Sequence, residues 1–334
     1  MKLKRLFCTA AGTALLGLCL AACSGGNEAV SSNETQPDQD SQEAQTEASE
    51  ETQAQTETSS ENTIVSYATI TETEDWAPSI TKIIVEFSGD VSGEVSPEDF
   101  TASVRRTYAG TDDLVQEMSY ETFEMGVSPT AEGERVITEA YISDENGEAA
   151  EGASKYVTLV MESTPVEGFG NPIGAETETG LSLNVVLDCN YTIQYTDPSG
   201  NTLECSEKNE DACKMLLTDN FTHDQVYTTT TEAILNDGYE NDTLYYASYE
   251  PEDDGEKHPL VIWLHGAGEG GTDTRVPLLG NKACVFGGEE FQEIMGGAYV
   301  LVPQSPAVWI NVTGATYDLS AENSTSMYTQ TLME

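Results

Sequence analysis

Basic residues are scarce in this chain of 334 residues. Lysine and arginine together number 13, against 59 aspartates and glutamates, so the formal net charge is −46. Proteins bind nucleic acids and anionic surfaces through clusters of positive charge that neutralise phosphates. The composition therefore argues against nucleic-acid binding, and we expect no nucleic-acid partner.

Long apolar runs are also missing, apart from one at the start of the chain. That run, Leu6–Leu20, is shorter than the ~20 residues of a membrane-spanning helix and follows three cations. Small residues then precede Cys23, an arrangement similar to the lipobox of bacterial lipoproteins. We expect residues 1–22 to be a lipoprotein signal peptide, with an ordinary signal peptide or a membrane anchor as the alternative. The resemblance implies lipid on Cys23, anchoring the protein to the outside of the bacterial cell membrane.

Aromatic and basic residues are absent from the stretch after this signal, residues 23–62. The segment consists mainly of Glu, Gln, Ser, Thr, Asp and Ala, so it cannot bury enough apolar surface to offset its ordering entropy. We expect a disordered acidic linker that holds the folded part away from the cell surface.

Helical periodicity is missing between residues 63 and 163, where β-branched and aromatic residues form short runs. Ile80–Phe87 and Lys155–Met161 are predicted strands, and Val136–Ser143 runs into the turn-forming sequence Asp-Glu-Asn-Gly. About a hundred residues in short strands are typical of an immunoglobulin-like sandwich. It contains no catalytic pattern, so we expect it to pack on a second domain, to present that domain to a polymer or to act as a spacer.

Residues 164–334 are predicted to form part of an α/β domain. Leu260–Leu264 is apolar without alternation, as in a strand buried on both faces, and it ends in the glycine-rich loop His265–Gly271. A helix over Asn281–Met295, with a stop at Gly296-Gly297, and a strand over Ala298–Pro303 follow, which is the order of a doubly wound parallel sheet. Leu244–Tyr249 is expected to lie beside the first of these strands, and a further helix is expected from Ala321.

Three ordered blocks carry a family resemblance. They are His265-Gly266-Ala267-Gly268-Glu269-Gly270-Gly271, then Pro277–Lys282, and then Tyr299–Pro306 with Trp309. The set resembles the secreted α/β-hydrolase esterases, within them the polyhydroxybutyrate-depolymerase-like and feruloyl-esterase-like group with an N-terminal immunoglobulin-like domain. The resemblance implies an ester substrate, which could be polymeric, and hydrolysis by a Ser-His-Asp triad.

The resemblance also implies roles for the loop. The backbone amides of Ala267 and Gly268 are the candidate oxyanion-hole donors, and which of them points inward is open. His265, Gly266 and Glu269 are expected to shape the loop, with His265 not acting as the general base. For Glu269 and Asp273 the favoured interpretation is a solvated loop carboxylate, and the alternative is a role at the rim of the pocket. Two residues near the end of the last strand, Gln304 and Trp309, are candidate pocket residues, with plain core as the alternative for Trp309.

The nucleophile motif of such enzymes, G-x-S-x-G, occurs nowhere in the chain. The three histidines, at positions 223, 258 and 265, all precede the segment where a catalytic histidine is expected. We therefore expect a C-terminally truncated and inactive fragment of an esterase, with its triad beyond Glu334. The alternative is a complete, non-catalytic surface lipoprotein that binds a ligand or glycan.

Metal-binding patterns are missing too. The seven cysteines include no C-x-x-C pair, and no histidine accompanies them at the spacing of a zinc site. We expect neither a metal nor a cofactor. In an exported protein, one disulfide is expected among four of the cysteines, although the pairing is open; these are Cys189, Cys205, Cys213 and Cys284.

Overall fold

The structure, a computed structural model, describes residues 62–115, 131–164, 168–178, 181–228, 243–306, 309, 312–313, 316–317 and 328–333. These all belong to one unit, residues 59–334. The predicted signal peptide, the lipidation site Cys23 and the linker up to residue 61 lie outside the described ranges. Within those ranges, no helix has both the length and the apolar character needed to cross a bilayer.

Sixteen strands and three short α-helices account for the regular structure of the described residues. The strands are β1 (Ile64–Thr73), β2 (Pro78–Val91), β3 (Phe100–Tyr108), β4 (Glu132–Arg135), β5 (Ile137–Ser143), β6 (Ser154–Met161), β7 (Ile173–Glu178), β8 (Leu181–Thr196), β9 (Thr202–Cys205), β10 (Lys214–Met215), β11 (Thr222–Thr228), β12 (Thr243–Tyr249), β13 (Leu260–Ile262), β14 (Tyr299–Gln304), β15 (Val312–Thr313) and β16 (Thr316–Tyr317). The helices are α1 (Arg275–Gly280), α2 (Glu289–Met295) and α3 (Thr329–Met333).

Two sheets form a β-sandwich. One has the order β10-β1-β2-β6-β5, and the other has the order β4-β3-β8-β7 with β9 paired to β8. Alternate side chains of the central strands point into a shared core, which includes Ile83, Val85, Leu159 and Ile193, all fully buried. The predicted strands at Ile80, Val136 and Lys155 are therefore present as β2, β5 and β6, with one apolar face each.

The sandwich continues past residue 163, where the sequence predicted its end. Strand β8 pairs with β3 along nine residue pairs, from Phe100 opposite Tyr195 to Tyr108 opposite Leu187. The described residues from 168 onward, predicted to belong to the α/β domain, instead lead into the β7–β8 hairpin, which returns to the same core. Local composition could not show this, because the pairing joins segments about ninety residues apart.

A third sheet has the order β11-β12-β14-β13. Strands β13 and β14 are parallel, with Val261 opposite Val300, as the predicted strand-helix-strand order requires. The expectation that β12 lies beside β13 was wrong, because β12 pairs antiparallel with β14 and so lies on its far side. Strand order depends on long-range pairing, which the local sequence does not encode.

Strand β13 lies at the edge of this sheet among the described residues. On its inner face, the side chains of Val261 and of Trp263, just after the strand, pack on the core formed by Phe221, Ala247, Leu278 and Val302. Its other face is exposed, with Leu260 at 58%, Ile262 at 44% and Leu264 at 50%. The predicted burial on both faces is therefore not observed, and an apolar strand edge remains open to association.

The helical region between β13 and β14 is broken into pieces. The predicted helix over residues 281–295 is a 3-10 turn, Ala283–Gly287, followed by α2, because Gly287 and Gly288 interrupt it. Gly287 lies so close to Phe221 that a Cβ there would stand 2.6 Å from the ring. The predicted stop is present, since Gly296 ends α2 in the left-handed conformation at φ 65°.

This helix stop gives a first prediction. Gly296→Ala should lower the free energy of unfolding by about 1 kcal/mol, since only the backbone conformation opposes a Cβ; no atom lies within 4 Å of its position. Gly296→Asn is the matched variant and should cost less, because asparagine tolerates this conformation. Chemical denaturation of both variants measures the difference. Equal losses for alanine and asparagine would contradict the assignment.

The four cysteines of the described ranges are all unbridged. Cys189 is buried in the sandwich core, whereas Cys284 lies in the core beside the third sheet. Cys213 accepts a hydrogen bond from the Thr69 backbone amide at 3.4 Å. The expected disulfide among them is therefore not formed in the structure.

Candidate functional site

The glycine loop after β13 contains a tight turn from Gly266 to Glu269. The Glu269 amide donates to the Gly266 carbonyl oxygen at 3.3 Å, which closes the turn. Gly268, at the third position, has φ 93°, a conformation that a turn of this class requires and that glycine adopts without strain. The sequence thus places glycine where the backbone needs it.

Two amides at the tip of this turn are unpaired. Neither the Ala267 nor the Gly268 N–H donates a hydrogen bond to any described residue, whereas those of Gly266, Glu269 and Gly271 do. Ala267 is exposed and Gly268 is half-buried. Two adjacent N–H groups without partners can bind an oxygen that carries negative charge.

Glu269 holds the turn from inside. Its side chain is buried, with 4% of the residue exposed. One carboxylate oxygen accepts from the Gly266 amide at 2.8 Å, and the other accepts from the Asn281 side-chain amide. Burial raises the pKa of Glu269. The favoured interpretation of Glu269 as a solvated loop carboxylate was therefore wrong, and the sequence offered no signal for Asn281 as its partner.

His265 connects the loop to the end of β14. Its Nδ1 lies 2.8 Å from the Gly266 carbonyl oxygen, and its Nε2 lies 3.0 Å from the Ser305 backbone nitrogen. Since a carbonyl only accepts and an amide only donates, the ring is neutral with its proton on Nδ1. Burial lowers its pKa, which favours the same form. Both nitrogens are engaged, so the ring positions the loop and is not poised to take a proton.

The two predicted pocket residues contact different residues of the loop. Gln304 is 1% exposed and donates from Nε2 to the Glu269 carbonyl oxygen at 2.9 Å. Trp309 packs on the His265 ring, with centroids 5.1 Å apart, and on Tyr328 at 6.0 Å. Gln304 thus holds the loop through the carbonyl oxygen of Glu269, whereas Trp309 packs on the ring of His265.

The sandwich contacts the glycine loop directly, a contact that sequence reasoning missed. The backbone amide of Asn184, on β8, donates to the Gly268 carbonyl oxygen. Beside this contact lies a cavity of about 420 Å³, with walls from β8 and from residues 270–273. The sandwich therefore forms part of the site's surroundings.

Asp273 does not act as an isolated rim carboxylate. It forms an ion pair with Arg275, whose Nε and one terminal nitrogen lie 2.9 and 2.6 Å from its oxygens. This pairing occurs at the start of α1, directly after the glycine loop. In the described ranges, no group of three or more His, Cys, Asp or Glu residues is arranged to hold a metal ion.

A second histidine, His258, lies in a different environment at the opposite end of β13. Its Nε2 is 2.9 Å from the Asp254 carboxylate and its Nδ1 is 3.0 Å from the Gly296 carbonyl oxygen. Both neighbours are acceptors, so the ring is best satisfied when both nitrogens carry protons. The hydrogen bond with Asp254 accordingly raises the pKa of His258.

The two histidines should affect stability with opposite dependence on pH. His265 has a lowered pKa. Below about pH 6.5 the unfolded chain therefore binds a proton at this residue more readily than the folded chain, and the wild type loses stability relative to His265→Gln. His258 has a raised pKa, so its contribution is present below about pH 6.5 and is lost as the pH rises through the folded value. Denaturation between pH 5 and 8 should show stability differences from the wild type that change with pH in opposite directions for His265→Gln and His258→Gln. A change in the same direction for both would contradict the assigned protonation states.

Two comparisons with known proteins found matches. Residues 66–203 match the family described as the esterase Ig-like N-terminal domain. A crystal structure of a thermostable esterase matches 72% of this chain with a TM-score of 0.51 and 22% sequence identity. The chain spans 58% of the length of that esterase chain. No curated protein matches this chain.

The matched range includes most of β1, all of β2 through β8 and the start of β9, which are the strands of the sandwich other than β10. It also includes Asn184, the residue that contacts the glycine turn. The sandwich of this chain thus matches the esterase Ig-like N-terminal domain, and 72% of the chain is similar in fold to a thermostable esterase.

Proposed function

We propose that the chain provides the oxyanion-binding part of a carboxylic-ester hydrolase of the serine type with an α/β-hydrolase fold. The observation that carries the proposal is a pair of amides, Ala267 and Gly268, that have no partner among the described residues and lie in the turn that follows β13. The parallel pairing of β13 with β14 is consistent with that fold, in which such loops face the active site. The match of the sandwich to an esterase domain supports the same reaction class.

The chemistry follows from the geometry of the turn. Attack on an ester carbonyl moves negative charge onto the carbonyl oxygen, and fixed N–H donors stabilise this charge without reorganising. In this chain, Glu269 accepts a hydrogen bond from the Gly266 amide, directly before the two donors. His265 accepts one from the Ser305 amide, which connects the start of the loop to the end of β14. The donors are thereby held in place before substrate binds.

The nucleophile belongs to a different part of the proposed enzyme. The chain has no G-x-S-x-G, and the ring nitrogens of His223, His258 and His265 are each within hydrogen-bond distance of a backbone carbonyl oxygen. We propose that the serine, the carboxylate and the catalytic histidine come from sequence outside these 334 residues. The 58% coverage of the thermostable esterase leaves room for such a segment.

The substrate and location follow the sequence expectations. We propose an extracytoplasmic protein, anchored through lipid on Cys23, that acts on extracellular and polymeric esters. The acidic linker would let the enzyme reach such a substrate from the membrane. Without the outside segment, the chain would be catalytically inactive.

Hydrolysis of p-nitrophenyl acetate by the complete gene product tests the proposal. We expect turnover that a fluorophosphonate abolishes by labelling a serine outside the 334 residues. The 334-residue chain alone serves as the control and should show no turnover that the inhibitor removes. A complete gene product that hydrolyses no ester, or a fluorophosphonate-sensitive activity of the 334-residue chain itself, would contradict the proposal.

A further inference from the structure

The connection between β12 and β13, residues 250–259, is acidic and crosses one end of the third sheet. Strand β12 pairs with one side of β14 and β13 with the other, and both pairings reach the N-terminal end of β14. The connection therefore passes over that end. Five of the seven residues 250–256 carry carboxylates, and like charges repel, so this stretch favours an extended, detached conformation unless a contact holds it.

His258 holds the connection against the junction between α2 and β14. Its Nε2 lies 2.9 Å from Asp254 Oδ1, and its Nδ1 lies 3.0 Å from the Gly296 carbonyl oxygen. The ring fits closely, since a Cβ on Gly297 would stand 2.8 Å from Nδ1. Asp254 Oδ1 also accepts from the Glu256 amide at 2.9 Å, so the same oxygen fixes the turn of the connection.

Asp254 is the charged partner of the His258 ring among the described residues. On β14, Tyr299 lies edge-on to the ring with centroids 6.3 Å apart. The sequence neighbours Glu256 and Lys257 are exposed. A cavity lined by both the connection and α2 adds three carboxylates, those of Glu252, Glu289 and Glu293. The response of this contact to pH is therefore set by His258 and Asp254.

Loss of one proton from the ring breaks one of its two contacts. A protonated ring donates from both nitrogens, whereas a neutral ring donates from one and presents a lone pair at the other. The Gly296 carbonyl oxygen is fixed in the backbone, but the Asp254 side chain is 56% exposed and can turn to water. Asp254 stays ionised, because the hydrogen bond from the Glu256 amide lowers its pKa. The bond to Asp254 is therefore the one that is lost.

We propose that His258 is a pH switch that holds residues 250–257 on the α2–β14 junction at acidic pH and releases them at alkaline pH. Release moves Pro251 and Glu252 away from Gly296 and Gly297, with which they line a cavity of about 780 Å³. The cavity should therefore widen as the pH rises. The hydrogen bond to Asp254 raises the pKa of His258, so the change is centred above about pH 6.5. This switch does not depend on the proposed ester hydrolysis.

NMR relaxation of the 334-residue chain at about pH 5 and about pH 9 tests the switch. Backbone order parameters of residues 252–256 should be about 0.85 at the lower pH and below about 0.6 at the higher. Their midpoint should coincide with the titration of the His258 ring nitrogens. His258→Ala should leave the connection mobile at both values. Asp254→Asn should keep it ordered at both, because an amide can donate to the neutral ring and accept from the protonated one.

Asp253→Asn is the matched control, since it makes the same change at the neighbouring carboxylate. Asp253 accepts from the Gly255 amide at 3.1 Å within the connection, so this variant should switch like the wild type. The proposal is overturned if the wild-type connection is equally ordered at both pH values, or if its midpoint differs from that of His258. A switch that persists in Asp254→Asn, or is lost in Asp253→Asn, also overturns it. If His258→Ala fails to fold, the two asparagine variants still decide.

Discussion

Ala267→Pro should lower kcat for ester hydrolysis by the complete gene product by about 10²–10³-fold, the effect of losing one oxyanion donor. Proline has no N–H, so the change deletes one of the two unpaired amides and leaves the Gly268 amide in place. The loss should fall on kcat, with KM changed little, because the interaction forms as charge develops on the oxygen.

The turn itself should tolerate this proline. Ala267 is the second residue of the turn that Gly268 completes at φ 93°, and proline is common at that position. Its amide makes no hydrogen bond to a described residue, so none is lost. The free energy of unfolding should therefore stay within about 1 kcal/mol of the wild type.

Ala267→Ser is the matched control, because it changes the side chain at the same exposed position and keeps the N–H. It should retain nearly the wild-type kcat. A proline variant as active as the serine variant would show that the Ala267 amide has no catalytic role. Steady-state kinetics of both variants, with denaturation curves beside them, decide between these results.

Glu269→Ala should lower the free energy of unfolding by about 3 kcal/mol. The carboxylate accepts from the Gly266 amide and from Asn281, and hydrogen bonds to charged groups contribute about 1.5–3 kcal/mol each. The gain from no longer burying a charge offsets part of this loss. Chemical denaturation measures the change, which should be among the largest for any single residue of the loop.

Glu269→Gln is the matched variant, since it keeps the shape and one acceptor for the Gly266 amide. Burial raises the pKa of Glu269, so ionising it in the folded state costs stability as the pH rises above about 4.5. The wild type should thus lose stability relative to Glu269→Gln as the pH rises through the folded pKa. If the free energy of unfolding of the wild type instead increased relative to that of Glu269→Gln as the pH rose above about 4.5, the assignment of a buried carboxylate would be contradicted.

Some of this fold was readable from the sequence because local patterns determine it. The turn at Gly268, the helix stop at Gly296 and the parallel strand after it all depend on neighbouring residues. The position of β12, the exposed face of β13 and the return of β8 into the sandwich depend on pairing between distant segments. Those features could not follow from periodicity.

The candidate site, too, could be predicted from the sequence only in part. The glycine run indicated where the unpaired amides lie, and the structure places them at the tip of a closed turn. The groups that hold the turn, Asn184 and Asn281, carry no pattern of their own, since they act only through contacts made by folding. The cavity is likewise built from three segments that are remote in sequence.

Amide hydrogen exchange, resolved to single residues by NMR, tests the central claim most directly. If the tip of the turn is an open anion site, the Ala267 and Gly268 amides should exchange rapidly while those of Glu269 and Gly271, which are hydrogen-bonded, are protected. Protection of the two tip amides equal to that of Glu269 and Gly271 would show that they are already paired inside the protein, and would contradict the account.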